Sequence, residues 1–336
     1  MREQTTLGRR MELAQYIWSN LQTYFGVKFL LSPVYLAATV IIVYVVWSLR
    51  GRTKPFLTYM LPKDVWTHPS TNVDIKVALF NGAITATGAL SALLITPYVT
   101  FAITTQLAQL TMSGGSEITG LVRSILAGTI LFLVQDFCRY WNHYLHHEQR
   151  FLWPFHAVHH SAEVMTPITF LRAHPMYSVL QILVISALVG IAQGLILFGV
   201  VGTIDISVIY GSTLTFNAYV FFGGHLRHSH IWISYGRLLE HILISPAQHQ
   251  IHHSSNPKHH DCNYGEIFAI WDWMFGTLYV PDGYEDLNYG LADRDGNIIP
   301  QKHPTLKDAM IGPFIEVWEE ILKGTSKDPE NKFPAE

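Results

Sequence analysis

The chain has 336 residues, 49% of them hydrophobic and only 14% charged, with a formal net charge of −3 at neutral pH. Soluble domains carry roughly 25% charged residues, so this poverty of charge, with a mean hydropathy of +0.21, points to a membrane protein. The near-neutral balance gives no case for nucleic acid as a partner.

Residues 1–28 form a mixed, polar N-terminal segment without an apolar core, so no cleavable signal peptide is expected. The membrane helices are expected within 29–128. The first apolar span runs from about Phe29 to Leu49, long enough to cross a bilayer. Arg50, Arg52, Lys54 and Lys63 follow it, which places that loop in the cytoplasm. The second apolar stretch, Val77 to Leu110, would make a straight helix of about 50 Å against a hydrocarbon core of about 30 Å. Pro97 is expected to kink or divide it. A third span, Leu121 to Trp141, delivers the chain to His143.

The catalytic unit is expected over 129–280 and includes a transmembrane hairpin over 176–222, interrupted by Gly202, Thr203 and Asp205. The hairpin returns the chain to the side it left. Counting Val77 to Leu110 as one crossing plus an interfacial piece gives four or five spans and puts the polar segments on the cytoplasmic side. From Leu278 onward the chain is polar, with Pro281, Asp282 and Gly283 as a turn signal. The C-terminal tail, 281–336, contains an amphipathic helix over Thr305 to Leu322, which either packs on the catalytic unit or lies on the membrane surface. The fold class expected is all-α: an integral membrane helical bundle with a cytoplasmic helical cap.

Sixteen of the eighteen histidines lie between His143 and His260. Three boxes stand out: His143-Tyr-Leu-His-His147, His156-Ala-Val-His-His160 and His249-Gln-Ile-His-His253. Residues three and four apart share a helix face, so each box is expected to present its imidazoles to one point. His146 falls one position off that face and is expected not to ligate. Imidazole is a strong ligand for first-row transition metals. The eight box histidines exceed the roughly four ligands of one zinc site and suit two metal ions close together. The boxes sit at expected membrane–water boundaries, where a metal can meet a lipid. No H-E-x-x-H protease motif and no G-x-S-x-G elbow is present. A zinc-dependent lipid hydrolase and a histidine-rich membrane metal transporter stand as alternatives to a redox enzyme. Cys138 and Cys262 flank the boxes, form no C-x-x-C pair and read as reduced, partly buried thiols.

The run Asp136-Phe-Cys-Arg-Tyr-Trp-Asn-His143, then His147, then Phe155-His-Ala-Val-His-His-Ser161 resembles the membrane-bound fatty acid hydroxylase superfamily, also called the sterol desaturase family. Ser245-Pro-Ala-Gln-His-Gln-Ile-His-His-Ser254 and Asn263-Tyr-Gly-Glu-Ile-Phe-Ala-Ile-Trp-Asp-Trp-Met-Phe-Gly-Thr277 resemble its C-terminal signature. The resemblance covers about Ile130 to Val280. It implies an integral membrane enzyme with two iron ions that uses O2 as co-substrate to hydroxylate or desaturate a fatty acyl, sterol-like or alkylglycerol lipid. Carried over residue by residue, it makes His143, His147, His156, His159, His160, His249, His252 and His253 iron ligands. A further ligand is expected from Gly224-His-Leu-Arg-His-Ser-His230, with His228 preferred to His225.

Asp136, two turns before His143, is expected to orient a ligand imidazole. Asp261 and Asn263 are candidates for the same work. His174 is either a support of the site or a helix-start residue, and His259 and His260 are either loop residues or neighbours of the site. His68, His241 and His303 are expected to be incidental. The chain has no haem-binding H-P-G-G segment and no G-x-G-x-x-G fingerprint, so an external donor such as cytochrome b5, ferredoxin or a reduced pterin is expected to supply electrons. Without a C-terminal dilysine signal, a bacterial inner membrane is preferred to the endoplasmic reticulum, with the active site on the cytoplasmic side.

Overall fold

A computed structural model describes residues 33–110, 120–196, 224–293 and 295–323, together with residues 15 and 198. The expected polar segment 1–28, most of the return limb of the hairpin (197–222) and the end of the tail (324–336) lie outside the described residues, save residues 15 and 198.

The described residues form eleven α-helices: α1 Pro33–Leu49, α2 Phe56–Met60, α3 Lys63–Trp66, α4 Pro69–Ala86, α5 Thr96–Leu110, α6 Gly120–Glu148, α7 Trp153–His160, α8 Pro175–Ile196, α9 Pro246–His252, α10 Ile270–Phe275 and α11 Leu306–Lys323. Extended pairing among them is limited to isolated bridges such as Leu243 with Phe268. The fold is all-α. One helix, α8, is by itself long and apolar enough to cross a membrane, and the bent pair Pro69–Ala86 with Ser91–Leu107 makes a second when taken together. The apolar run of α1 is shorter, Leu36–Leu49.

The long apolar stretch Val77 to Leu110 is divided, but not at Pro97. The chain bends by 62° between the two members of the pair, at a turn where Gly88 adopts φ +73°. Pro97 sits in the first turn of α5, where its missing N–H has no intrahelical partner to lose. The α4 start is set by sequence too. The His68 ring accepts the Ser70 N–H at 3.2 Å, and Pro69 opens the helix.

Helices α5 and α8 pack closely because α8 carries Gly190-Ile-Ala-Gln-Gly194. A Cβ on Gly190 would stand 2.7 Å from the Val99 Cβ, and one on Gly194 would stand 2.6 Å from the Ile103 Cβ. Hydroxyls of α5 bond across this seam: Thr96 Oγ1 donates to Ser186 O at 3.1 Å and Thr100 Oγ1 to Gly190 O at 3.2 Å. Small residues with polar cross-links are how helices associate where the surroundings are themselves apolar.

The 29-residue α6 packs against α8 along its length and reaches α7 with its last turns. The cap is completed by α9, α10 and α11. Helix α11 lies on α4 and α7 through Leu306, Ala309 and Met310, which meet Val73, Val77 and Val158. Its other side leaves Ile311, Phe314, Ile315, Trp318, Ile321 and Leu322 exposed. This helix is therefore both packed on the unit and apolar outward.

Candidate metal centre

Each histidine box stands at the C-terminal end of a helix. Box one occupies the last turns of α6. Box two ends α7, whose first turn holds Pro154. Box three ends α9, and there the start is a reciprocal cap: Ser245 Oγ accepts the Gln248 N–H at 3.2 Å while Gln248 Oε1 accepts the Ser245 N–H at 3.0 Å. His228 follows the short turn Gly224–Leu226.

These segments bring nine buried imidazoles into two groups. His143, His147, His156, His160 and His252 form one, and His159, His228, His249 and His253 the other, with ligand atoms within 4.8 Å of one another in each. In the first, His143 Nε2 lies 3.0 Å from His252 Nε2 and 3.3 Å from His147 Nε2. In the second, His228 Nε2 lies 3.0 Å from His159 Nε2 and 2.9 Å from His249 Nε2. The His160 and His253 rings, one from each group, stack at 4.3 Å.

One expectation is corrected. Boxes two and three do not each aim at one point. His156 and His160 go to the first group and His159 to the second, whereas His249 and His253 go to the second group and His252 to the first. At about 100° per residue, positions i and i+4 differ by about 40°, while i+3 falls about 60° to the other side. A box therefore has two aims.

The rings are set by backbone carbonyls. The Nδ1 atoms of His143, His252 and His159 lie 2.8 Å from Tyr264 O, 2.7 Å from Cys262 O and 3.2 Å from Arg172 O. A carbonyl only accepts, so each Nδ1 carries the proton and each Nε2 keeps a lone pair. The turn that supplies the first two carbonyls depends on its sequence: Asp261 and Asn263 take φ of +58° and +56°, a region that Asp and Asn tolerate better than other side-chain-bearing residues. Asp272 then holds the turn by accepting from Tyr264 N and Gly265 N, both at 2.8 Å.

The nitrogens fit a metal. Lone pairs about 3 Å apart repel one another, and a cation between them turns that repulsion into ligation. Burial favours the neutral form of eight of these rings: His147 and His159 are pushed down to about 3, and His143, His156, His160, His228, His249 and His253 also go well below the usual histidine range. His249 and His253 have buried Nδ1 atoms with no hydrogen-bond partner. Neutral imidazole is the form that binds iron, zinc and copper.

Asp136 does other work than expected. Its Oδ2 accepts from Phe268 N at 3.1 Å and Trp271 Nε1 at 2.9 Å. Two turns before His143 on α6, it lies level with α10 and holds that helix rather than an imidazole. Asp261 Oδ1 accepts from the Tyr264 hydroxyl at 3.1 Å, and that ring lies against His143 and His147. Asn263 joins Gln248 O to Tyr279 N.

His146 belongs to neither group, and its Nδ1 donates to Asn142 O at 2.7 Å. His225 lies 2.7 Å from Thr39 Oγ1 and outside the groups. His174 is a helix-start residue: its Nδ1 accepts from Met176 N and its Nε2 donates to Met310 O. His259 pairs with Glu285, and His68 and His241 bond locally. Both cysteines are buried and outside any disulfide, and the Cys262 thiol donates to His259 O at 3.0 Å.

Sequence reasoning missed Arg172. It is fully buried and pairs with Asp74 at 2.9 Å. Its Nε donates to Val158 O at 2.7 Å and its Nη2 to Ser161 Oγ at 2.8 Å, so it ties the end of α7 to α4 while its own carbonyl holds His159. His303, expected to be incidental, is buried beside it with Nδ1 3.1 Å from Ser161 Oγ.

A cavity of about 220 Å³ adjoins the imidazoles, lined by His143, His156, His159, His228 and His249 together with residues of α4, α6 and α8.

Residues 128–277 match the family model described as fatty acid hydroxylase. The chain is 33% identical over 171 residues to alkylglycerol monooxygenase of Danio rerio, a match covering 48% of this chain and 32% of that protein. It is 28% identical over 202 residues to alkylglycerol monooxygenase of Caenorhabditis elegans, covering 58% of this chain and 34% of that protein. It is 31% identical over 162 residues to an ornithine lipid hydroxylase of Rhizobium tropici, covering 48% and 44%. The chain thus matches about a third of the length of the alkylglycerol monooxygenases. No solved structure matches it. The family match spans all nine histidines of the two groups, and over these residues the chain is similar to the fatty acid hydroxylase family.

Proposed function

We propose that the chain is an integral membrane oxidoreductase that hydroxylates a lipid at a di-iron centre. The observation that carries this reading is the pair of adjacent buried groups of five and four imidazoles opening on one cavity. His143, His147, His156, His160 and His252 would hold one iron, and His159, His228, His249 and His253 the other. With iron bound, such a centre supplies the redox chemistry by which one atom of O2 enters a C–H bond and the other leaves as water, with two electrons and two protons delivered from outside the chain.

The protein's own contribution is orientation and dryness. The carbonyls of Tyr264, Cys262 and Arg172 fix three rings, and burial keeps bulk water from the nitrogens. Lipid access is supported by the apolar surface: Ile41, Leu79, Phe101, Ile125 and Leu195 stand 51% to 72% exposed on α1, α4, α5, α6 and α8, a pattern that suits a hydrocarbon surround. The outward apolar side of α11 suits the membrane surface. The relatives' names support a lipid bearing an alkyl or acyl chain as substrate. Electrons come from an external donor such as cytochrome b5, ferredoxin or a reduced pterin, with the site on the cytoplasmic side of a bacterial inner membrane.

The test is metal analysis of the purified full chain, followed by lipid mass spectrometry of reactions run under heavy-isotope O2. Iron in both groups and one heavy oxygen in the product are expected. Turnover without O2 would favour the zinc hydrolase. Metal flux in proteoliposomes without O2 consumption would favour a transporter.

A further inference from the structure

We infer that a second cavity, apart from the nine grouped imidazoles, is a binding site for an apolar lipid whose one polar group is a hydroxyl, such as a long-chain alcohol. The inference is independent of the hydroxylase reading, because none of the grouped histidines lines this cavity.

The cavity measures about 460 Å³, within the range of roughly 300–1,000 Å³ that encloses a drug-sized ligand. Its wall comes from the first four helices, from Pro167–Leu171 and from the segment 225–231. Leu36, Val40, Val43, Ile75 and Leu79 give it an apolar face, and none of the described residues lining it is Asp, Glu, Lys or Arg. A phosphate, carboxylate or ammonium head would lie there without a counter-charge, a cost that no wall group offsets. An alkyl chain meets no such cost and gains from burial.

Two wall residues have an unmet polar atom. The buried Trp66 Nε1 and His230 Nδ1 have no hydrogen-bond partner among the described residues, and both residues line the cavity. Indole Nε1 only donates. His230 Nε2 lies 2.8 Å from Tyr59 O, and a carbonyl only accepts, so Nε2 carries the proton and Nδ1 keeps its lone pair. The two side chains thus offer one donor and one acceptor. A hydroxyl is the simplest uncharged group that answers both, accepting from Trp66 and donating to His230. An ether only accepts and leaves His230 unanswered. The hydroxyls of the wall are already engaged, Thr39 Oγ1 with His225 Nε2 at 2.7 Å and Ser229 Oγ with Leu226 O at 2.6 Å. Buried polar atoms without partners are costly, so a ligand that pairs them is held by its polar end.

Placement orients the chain. Trp66 ends α3 just before α4, whereas Ile75 and Leu79 stand about 9 and 15 Å beyond the first residue of α4. The polar end therefore lies at the start of the candidate span and the alkyl chain runs along it. Leu36, Val40, Ile75 and Leu79 are exposed, so the mouth opens on the apolar helix surface. That is the boundary-to-core order of an alcohol lying in a bilayer.

The test is native mass spectrometry of the full chain released from detergent, with hexadecanol, hexadecyl methyl ether and hexadecanoate at equal concentration. One hexadecanol per chain should be retained, and the ether and the carboxylate at least about 10-fold more weakly, the loss of one buried hydrogen bond. Stripping metal with a chelator should leave hexadecanol binding unchanged. Trp66→Phe should bring hexadecanol down to the level of the ether. Val40→Trp should block all three probes, and Val40 is exposed enough to accept the larger ring. A hexadecanol with a mid-chain diazirine should label peptides of α1 and of 75–79. Equal retention of the three probes, hexadecanol binding unchanged in Trp66→Phe or lost with the metal, or labelling confined to Tyr177 and Ser178 beside the imidazoles would overturn the inference.

Discussion

His159 and His228 are 69 residues apart in sequence, and their Nε2 atoms meet at 3.0 Å. No box contains His228, so this contact is where a short loop joins the centre. His228→Ala should leave about one tightly held ion per chain, because the second group falls to three imidazoles where a closed site wants about four. His225→Ala, three residues earlier, should keep both ions. Metal analysis of the two purified variants decides it, and equal loss from both would remove His228 from its assigned place.

Arg172 and Asp74 form an ion pair with both side chains at 0% exposure. Asp74→Ala strands a buried guanidinium and should cost about 3–5 kcal/mol. The thermal midpoint in detergent should drop clearly. Adding Arg172→Met to that variant should recover part of the loss, since it removes the stranded charge. A double variant less stable than Asp74→Ala would show that the Val158 and Ser161 contacts of Arg172 outweigh the pair.

Gly194 faces the Ile103 Cβ with room for no Cβ of its own. Gly194→Leu should separate α5 from α8 and cost about 1–3 kcal/mol by overpacking. The neighbouring Leu195 is 51% exposed, so Leu195→Ala should change the denaturation midpoint little. The contrast between the two, read in the same detergent, tests the seam.

Burial, with the charges of Arg172 and Lys302 nearby, pushes the His303 imidazole down to about 3. Its unfolded value is about 6.5, so below that pH the unfolded chain binds the proton and the folded one does not. Stability from this group is present above 6.5 and is lost as the pH falls toward 3. Between pH 7 and pH 5, His303→Asn should lose about 2 kcal/mol less than the parent, measured by denaturant unfolding at both values. An unchanged acid limb would mean that His303 is charged in the fold.

Much of the centre was legible because imidazoles at helical spacing carry both chemistry and geometry. All eight box histidines, and His228, fall in the two groups. What the pattern hid was the division of boxes two and three, because about 100° separates positions i+3 and i+4 around the helix axis. Periodicity tells which helix face Asp136 shares with His143, not how far along the axis its partner stands, and its carboxylate meets Phe268 N and Trp271 Nε1. Arg172 gains its meaning only when α4 brings Asp74 alongside, and no local pattern announces that. The break after α4 falls near Gly88 rather than at Pro97, because proline is tolerated in a first helical turn.

Helices α7 and α9 each send rings to both groups. In α7 the His156 and His159 centroids are 5.5 Å apart, and in α9 those of His249 and His252 are 5.5 Å apart. The offset between the two halves of the centre is thus written twice into the rise of a single helical turn. The spacing of the two groups is gauged by two stiff rulers, each one helical turn long.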